Sequence, residues 1–299
     1  MTNHTFGQEI SVKNILSHQN VLLIFAGIKS KKRISMFRQQ KPKRPKSNAE
    51  RDEIVGIVKY HRGFSSSFLN NQRDIVVWLP KGYNSYKKKE QRYAVLYMHD
   101  GQNILDPKTA YAGKDWRVDE TLSKLIRKRK IKDIIVVGIY NTPDRLDEYS
   151  WSDKGQLYLK FIVEELKPFI DSNYRTLPDR ENTAMIGSSM GGLISFYAGW
   201  FYGEVFSKVG CMSSSFYYHS DHALKLVEDY KGPKKNIKFY IDHGEDGLIR
   251  GQRMFCLLSQ KGYVLGQDID YYYAPGAEHN EKEWAARLER PLLFFFKKT

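Results

Sequence analysis

A short glycine-rich segment holds the first residues whose spacing could do chemistry. Residues 187–191 read Gly-Ser-Ser-Met-Gly, a G-x-S-x-G pattern with Ser189 at its centre. An apolar, strand-like run ends at Ile186 directly before it, and Gly191 and Gly192 open a helix-like run. A serine on such a sharp turn projects its hydroxyl above a sheet, because glycine lets the strand and the helix approach closely. The spacing therefore predicts that Ser189 is the nucleophile of an acyl-transfer reaction.

A serine hydroxyl needs a base to take its proton, and His279 is the best placed of the eight histidines. It lies in residues 275–280, Pro-Gly-Ala-Glu-His-Asn, after the last predicted strand, Asp268–Tyr273. Because the carboxyl ends of parallel strands meet at one edge of a sheet, this loop should open beside Ser189. Five other histidines are expected to be solvated or structural: His4, His18, His61, His219 and His222.

A carboxylate should orient the imidazole, and it is expected between the serine and the histidine along the chain. The loop after the predicted strand Lys238–Ile241 offers three candidates. We predict Asp246, because it lies past the strand end, where its side chain can turn towards His279. Asp242 is still close to the strand, and Glu245 is the nearest rival, so the choice among the three stays open.

The anion that forms during acyl transfer needs two N–H donors that point at it. One is expected from Met190, the residue after the nucleophile. The other is expected from residues 99–103, His-Asp-Gly-Gln-Asn, which follow the apolar run Tyr93–Met98. Gly101 frees the backbone there, so the N–H of Gln102 is the candidate. The histidine and aspartate that begin this segment, His99 and Asp100, are expected to shape the turn and not to react.

The elements that must position these residues alternate along the chain. Two runs rich in β-branched residues, Ile54–Val58 and Asp74–Leu79, predict an antiparallel start to a sheet. Strands and helices then alternate over about 200 residues, which predicts a mostly parallel sheet with helices on both faces. Further strands are predicted at Tyr93–Met98, Ile134–Ile139, Thr183–Ile186, Val209–Met212, Lys238–Ile241 and Asp268–Tyr273. Helices are predicted near Val118–Ile126, Leu157–Ile170, Gly191–Phe201, Ala223–Asp229, Gln252–Lys261 and Glu281–Phe296, the last bent near Pro291.

The charge of the chain is spread unevenly. The 299 residues carry a net charge of +14, and residues 1–50 hold ten Lys/Arg and two Glu, so they account for +8 of it. This segment ends in a stiff Pro/Lys run at residues 41–46, which cannot pack into a core. We therefore predict a basic, flexible N-terminal extension over residues 1–50 and one catalytic domain over residues 51–299.

The location of the protein is predicted from two short features. The longest early apolar run, Val21–Ile28, is far shorter than the roughly 20 residues of a membrane span. It also lacks the flanks of a signal peptide. The two cysteines, Cys211 and Cys256, do not form a disulfide framework, and no Cys/His spacing matches a zinc site. We expect a cytoplasmic protein without a membrane span.

Several of these segments together resemble the putative-esterase family of α/β-hydrolases. This family includes feruloyl and acetyl-xylan esterases, enterochelin-type siderophore esterases, S-formylglutathione hydrolases and mycolyltransferases. The resemblance runs from about Glu53 to the C-terminus and implies the α/β-hydrolase fold, with Ser189 as nucleophile and His279 as base. Some siderophore esterases of this type resemble a Ser–His pair without a strong acid, so Asp246 stays open. The segments are His99–Asn103, Trp116–Glu120, Val136–Ile139, Glu148–Tyr149, Gly187–Gly192 and Glu278–Glu281.

The expected function is hydrolysis of a carboxylic ester through an acyl-enzyme, with no metal or organic cofactor. The substrate is expected to be a small-molecule, carbohydrate or siderophore ester, and Trp116 is a candidate contact for it. An acyltransferase of the same fold is the nearest alternative. A weaker alternative is a non-catalytic protein that binds a partner through its basic extension. No nucleic-acid partner is expected, because Phe37 is the only aromatic residue among the basic residues of that extension.

Overall fold

A computed structural model describes residues 54–298 of the chain. The predicted extension, with its apolar run Val21–Ile28, lies outside the described residues, so the boundary at residue 50 stays a prediction. In the described part, no helix is both long and apolar enough to cross a membrane.

The chain alternates between strands and helices after an initial hairpin. The strands are β1 (Ile57–Ser66), β2 (Asn71–Leu79), β3 (Ala94–His99), β4 (Ile134–Ile139), β5 (Thr183–Ser188), β6 (Lys208–Met212), β7 (Lys238–His243) and β8 (Ile269–Tyr273). The helices are α1 (Val118–Arg127), α2 (Arg145–Glu148), α3 (Asp153–Lys160), α4 (Lys167–Asn173), α5 (Met190–Phe201), α6 (Tyr218–Asp229), α7 (Leu248–Gln260), α8 (Glu281–Arg287) and α9 (Glu289–Phe296). A π-helical turn, Phe161–Leu166, joins α3 to α4.

The eight strands form one sheet in the order β1-β2-β4-β3-β5-β6-β7-β8. Strand β2 pairs antiparallel with both β1 and β4, and every pair from β4 to β8 is parallel. The predicted fold class, a mostly parallel sheet with an antiparallel entry, is therefore confirmed. The parallel strands all end at one edge, which we call the catalytic edge because the loops after β3, β5, β7 and β8 carry the predicted site residues.

The helices cover both faces of the sheet, because alternate residues of each strand point to opposite sides. Val95 of β3 and Met185 of β5 face the layer that contains α3 to α7. Leu96 and Ile186, their chain neighbours, face the layer built from α1, α8 and α9. The central strands are buried on both faces, which explains why their sequences are continuous apolar runs and not alternating ones.

Several element boundaries differ from the prediction, and the differences at the two ends of the described chain have a clear physical reason. The first strand was expected at Ile54–Val58, but β1 extends over Ile57–Ser66. It is an edge strand with mostly exposed or half-buried side chains, so it has no apolar run to mark it. At the other end of the chain, the single bent helix is two helices, which meet at Leu288. Pro291 lacks the N–H that would bond to the carbonyl of Arg287, so the break lies one turn before it.

Candidate active site

The turn between β5 and α5 holds Ser189 in an unusual backbone conformation. Its φ of 55° and ψ of −123° lie outside the regions that L-residues ordinarily occupy. A hydrogen bond of 3.0 Å from the N–H of Ser189 to the carbonyl of Met212 helps to hold it there. A Cβ atom on Gly187 would lie 2.4 Å from the backbone of Gly191, so glycine is required for this close approach. The geometry is that of a strained serine turn at the catalytic edge.

The hydroxyl of Ser189 lies beside a second serine that the sequence analysis missed. Ser189 Oγ and Ser215 Oγ are 3.3 Å apart, and the N–H of Ser215 donates to the Ser189 carbonyl at 3.0 Å. Ser215 is almost fully buried. Its position after the carboxyl end of β6, next to β5 in the sheet, is the signal that could have identified it.

The loops after β7 and β8 bring the predicted base and acid together. His279 Nδ1 contacts Asp246 Oδ2, and this contact joins two side chains that are 39% and 32% exposed. Asp246 lies in a short 3-10 turn, Glu245–Gly247. A Cβ on Gly244 would be 2.1 Å from the Ala277 carbonyl oxygen, so this glycine is what allows the two loops to pack together.

The two other candidate carboxylates, Glu245 and Asp242, contact residues other than His279. Glu245 Oε1 accepts hydrogen bonds from the Tyr273 hydroxyl and from the Gly276 N–H, at 3.1 Å for the latter. These bonds tie the acid loop to the histidine loop, and the Tyr273 hydroxyl in particular lowers the pKa of Glu245. Asp242 is buried and accepts from the Tyr240 hydroxyl at 2.9 Å and from Arg287 at 3.1 Å. Among the described contacts, Asp246 alone of the three carboxylates meets His279.

The predicted N–H donors lie on two neighbouring segments. Met190 is the first residue of α5, where a backbone N–H has no partner within the helix. Gln102 lies in the 3-10 turn Gly101–Asn103 after β3. A Cβ on Gly101 would be 2.5 Å from the backbone of Gly138, so this turn rests directly on β4. A Cβ on Gly191 would lie 3.2 Å from His99 Cβ, which places the end of β3 against the start of α5.

An ion pair between the buried Asp100 and the half-buried Arg145 holds the segment that carries Gln102. Asp100 has a positive φ of 55°, and Arg145 donates to both oxygens of its carboxylate at 2.7 Å. Asn141 donates to the same carboxylate at 2.6 Å, and the Asp100 N–H donates to the Tyr149 hydroxyl at 3.2 Å. His99 is buried against the Tyr158 hydroxyl at 2.9 Å, and burial lowers its pKa to about 3. Asp100 and His99 therefore shape this turn, and Arg145 is a partner that the sequence analysis missed.

Comparisons with known proteins identify the family of the chain. The family described as "Putative esterase" matches residues 66–295, well over half of the chain. The chain belongs to this esterase family. It is an ester-hydrolysing enzyme.

A curated relative of the esterase is a longer, two-function protein. The chain is 30% identical over 240 residues to an endo-1,4-beta-xylanase/feruloyl esterase of Xylanibacter ruminicola. The match covers 78% of this chain and 31% of that protein, so it concerns one part of the relative.

Solved structures of two esterases share the fold. A ferulic acid esterase superposes with a TM-score of 0.64 at 21% identity, covering 81% of this chain and 98% of that one. The enterobactin esterase FES of Shigella flexneri superposes with a TM-score of 0.65 at 17% identity, covering 80% of this chain and 59% of that one. These likenesses establish the α/β-hydrolase fold of the esterase.

Trp116, the predicted substrate contact, lies in the interior of the esterase. It is 3% exposed and packs against Trp284 at 5.7 Å between ring centroids. Trp284 in turn presents a perpendicular ring to His279 at 5.0 Å. Because a ligand needs accessible surface, Trp116 is better explained as packing behind the histidine loop than as a substrate contact. The sequence motif around Trp116 could not show this, since its burial depends on the distant residue Trp284.

Proposed function

We propose that the esterase hydrolyses carboxylic esters through Ser189, His279 and Asp246, with an acyl-enzyme intermediate. The observation that carries the proposal is the contact between His279 and Asp246 on loops of the edge where the strained Ser189 turn opens. A carboxylate on Nδ1 of the imidazole leaves Nε2 free to accept the serine proton. The three residues also occur in the chain order Ser, acid, His that this fold uses.

In the proposed first step, Ser189 Oγ attacks the ester carbonyl carbon while His279 accepts its proton. The carbonyl oxygen becomes an anion, which the N–H groups of Met190 and Gln102 stabilise. The C–O bond to the alcohol then breaks, and the His279 imidazolium gives its proton to the departing alkoxide. Asp246 favours the imidazolium during both events and keeps the ring in one orientation.

The second half of the reaction repeats the first with water in place of the alcohol. His279 takes a proton from water, and the resulting hydroxide attacks the carbonyl carbon of the acyl-enzyme. The bond to Ser189 Oγ breaks, and the proton returns from His279 to the serine. The products are a carboxylic acid and the regenerated enzyme.

We propose an aromatic acyl ester, carried on a carbohydrate, as the substrate class. Tyr217 and Ile249 are 56% and 77% exposed, and they follow β6 and β7 at the catalytic edge. Exposed apolar side chains at this edge offer a surface for an apolar acyl group. The relative with feruloyl esterase activity in its name supports the same class.

A labelling experiment tests the nucleophile. A fluorophosphonate probe should modify Ser189 in the wild type, and Ser189→Ala should abolish both labelling and hydrolysis of a p-nitrophenyl ester. Ser188→Ala is the matched control, because Ser188 is buried at the end of β5 and should not be labelled. Labelling at Ser188 or Ser215, or a Ser189→Ala variant within tenfold of wild type, would refute the assignment.

A substrate series tests the proposed acyl group and the acyltransferase alternative. We expect higher kcat/KM on methyl ferulate than on methyl acetate, and little turnover of a tri-catecholate siderophore ester. An alcohol acceptor added in excess should not divert the acyl group, as judged by the ratio of acid to new ester. Preferential formation of the new ester would identify a transferase.

A further inference from the structure

A second concave surface lies at the edge of the sheet opposite the catalytic edge. It is a cleft of about 580 Å³ at the amino ends of the central strands. Ala94 begins β3, Asp133 directly precedes β4, and Asn182 directly precedes β5, and all three line it. A cleft of this volume is within the usual range for small-molecule sites. We call it the back cleft.

The back cleft is lined by five cationic side chains and one carboxylate. The carboxylate, Asp133, is already paired with Lys88, at 2.5 Å between Oδ2 and Nζ. The remaining cations have no ion-pair partner among the described residues: Arg92, Arg129, Lys132 and Lys298. The cleft therefore carries a concentrated positive charge that residues 54–298 do not neutralise.

The wall of the back cleft is held by backbone pairing. The N–H of Lys132 donates to the Phe296 carbonyl at 3.0 Å, and the N–H of Lys298 donates to the Lys130 carbonyl at 3.0 Å. Ile131 and Lys297 form an antiparallel bridge between these two bonds. The C-terminal segment and the loop before β4 therefore fix the backbone positions of Lys132 and Lys298.

The positive charge extends along this edge and is not explained by capping of a helix. Cations stabilise the last turn of a helix, but α1 ends at Arg127, and both Arg129 and Lys132 lie beyond that turn. Burial lowers the pKa of Lys208 at the start of β6, the charge of Glu181 opposes this shift, and the charges of Lys238 and Lys132 lower the pKa further. The ammonium groups at this edge therefore lie close enough to repel one another.

We propose that the back cleft binds a compact anion with several negative charges, namely a di- or triphosphate group. Two of the unpaired cations are arginines, whose planar guanidinium groups match phosphate oxygens in pairs. Among the described residues that line the cleft, none is aromatic, so it has no platform on which nucleic-acid bases could stack. Its concave shape favours a compact ligand over a flat membrane surface.

The proposed site is separate from the reaction at Ser189. Strand β3 begins at the cleft with Ala94 and ends at the catalytic edge with His99, so about 17 Å of extended strand lies between the two sites. Variants in the cleft should therefore leave ester hydrolysis intact, and binding should persist in Ser189→Ala.

Calorimetric titration of the full-length protein with inorganic tripolyphosphate tests the proposal. We expect saturable binding of one equivalent, weaker binding of orthophosphate, and an affinity that falls as salt increases. ATP should bind about as tightly as tripolyphosphate, which would show that the phosphates and not the base are recognised. Binding of orthophosphate as tight as that of tripolyphosphate, or no saturation at all, would overturn the proposal.

A pair of double variants separates a site from general attraction by a basic protein. Arg129→Gln with Lys132→Gln should weaken tripolyphosphate binding by about tenfold or more. Lys128→Gln with Lys130→Gln removes the same charge from the same loop, but neither residue lines the cleft, so this control should change the affinity by less than about threefold. Equal losses in the two double variants would show that net charge alone attracts the anion.

Discussion

The two sides of the candidate site are built in different ways. On the oxyanion side, the segment that carries Gln102 is held by the ion pair between Asp100, which is buried, and Arg145, which is half-buried, with side chains 9% and 27% exposed. On the acid–base side, Asp246 and His279 are 32% and 39% exposed and lie on loops. Breaking an ion pair is costly when it leaves a buried carboxylate such as Asp100 without its partner, whereas pairs between more exposed side chains add little to stability. The oxyanion side therefore depends on the stability of the fold, and the acid–base side depends on how two loops fit together.

This difference means that activity and stability should respond separately to substitution. A change on the acid–base side should lower the rate without lowering the melting temperature. A change on the oxyanion side should lower both, because the same contacts that orient the turn also hold the fold. Substitutions on each side of the site test this separation.

The largest effect is expected from Asp246→Asn. We expect kcat on a p-nitrophenyl ester to fall about 100-fold or more, because the amide no longer favours the imidazolium of His279. The melting temperature should stay within about 1 °C of wild type, because the pair is exposed. Steady-state kinetics and a thermal melt on the same sample measure both.

Glu245→Gln is the matched control for this prediction. Glu245 lies in the same turn but contacts Tyr273 and Gly276 and not His279, and glutamine keeps an acceptor oxygen for both bonds, so kcat should change by less than about threefold. If kcat changed little in Asp246→Asn but fell strongly in Glu245→Gln, the assignment of Asp246 as the acid would be wrong. If both were mild, the reaction would run on Ser189 and His279 alone.

The next effect is expected from Arg145→Met on the oxyanion side. The substitution leaves the Asp100 carboxylate without its main partner, and we expect a loss of about 2–4 kcal/mol in the free energy of unfolding. The turn that carries Gln102 should also loosen, so kcat should fall about 10- to 50-fold while KM changes little. Urea unfolding and kinetics with two esters check these expectations.

An exposed ion pair nearby provides the control for Arg145. Lys154→Met removes a pair with Asp144, at 3.0 Å between two largely exposed side chains. Stability and kcat should both stay close to wild type. A loss in Arg145→Met no larger than that in Lys154→Met would contradict the role assigned to the buried pair.

The sequence could predict the acid–base side better than the oxyanion side, and the reason is physical. The serine turn and the histidine loop are marked by local spacing and by their position directly after strands. The pairing of Asp100 with Arg145 joins residues 45 positions apart, and nothing local marks it. Trp116 was expected to contact the ligand, but it is buried against Trp284, which lies 168 residues later in the chain. Its local sequence therefore could not show this burial.

A smaller effect is expected from Gly244→Ala, which tests the fit of the two loops directly. The backbone of Gly244 is extended, so alanine causes no backbone strain, but its Cβ would lie 2.1 Å from the Ala277 carbonyl oxygen. We expect the loops to separate and kcat to fall about tenfold, because Asp246 and His279 depend on this contact. Gly266→Ala is not an equivalent control, since Gly266 has a positive φ of 80°.

Gly203→Ala is a better control for that experiment. A Cβ atom on Gly203 would approach its neighbours no closer than 3.2 Å. Gly203 also lies after α5, away from the loops that carry Asp246 and His279. It should leave kcat within about twofold of wild type. A Gly244→Ala enzyme with unchanged kcat and unchanged stability would show that the loops adjust without consequence, and that their close packing does not position the pair.

The smallest effect is expected at Asp119, a buried carboxylate in the first turn of α1, outside both sides of the candidate site. Burial raises its pKa to about 7, although one of its oxygens accepts a hydrogen bond from the Val55 N–H at 2.6 Å. A carboxyl whose pKa is raised on folding favours the folded state while it is protonated. That contribution is complete below the unfolded pKa of about 4 and is lost as the pH rises to about 7.

Asp119→Asn should therefore become more stable relative to wild type as the pH rises. Asparagine keeps an acceptor for the Val55 N–H but carries no charge at any pH, so it avoids the cost of a buried anion. We compare the free energy of unfolding of Asp119→Asn with that of wild type at each pH. The difference should favour the variant by about 1–2 kcal/mol more at pH 8 than at pH 5. Urea unfolding of both proteins at the two pH values measures it, with esterase activity as a check that the site is intact. A stability difference that is independent of pH would show that Asp119 does not titrate in this range, and one that favours wild type at pH 8 would show that its anion is stabilised by a partner.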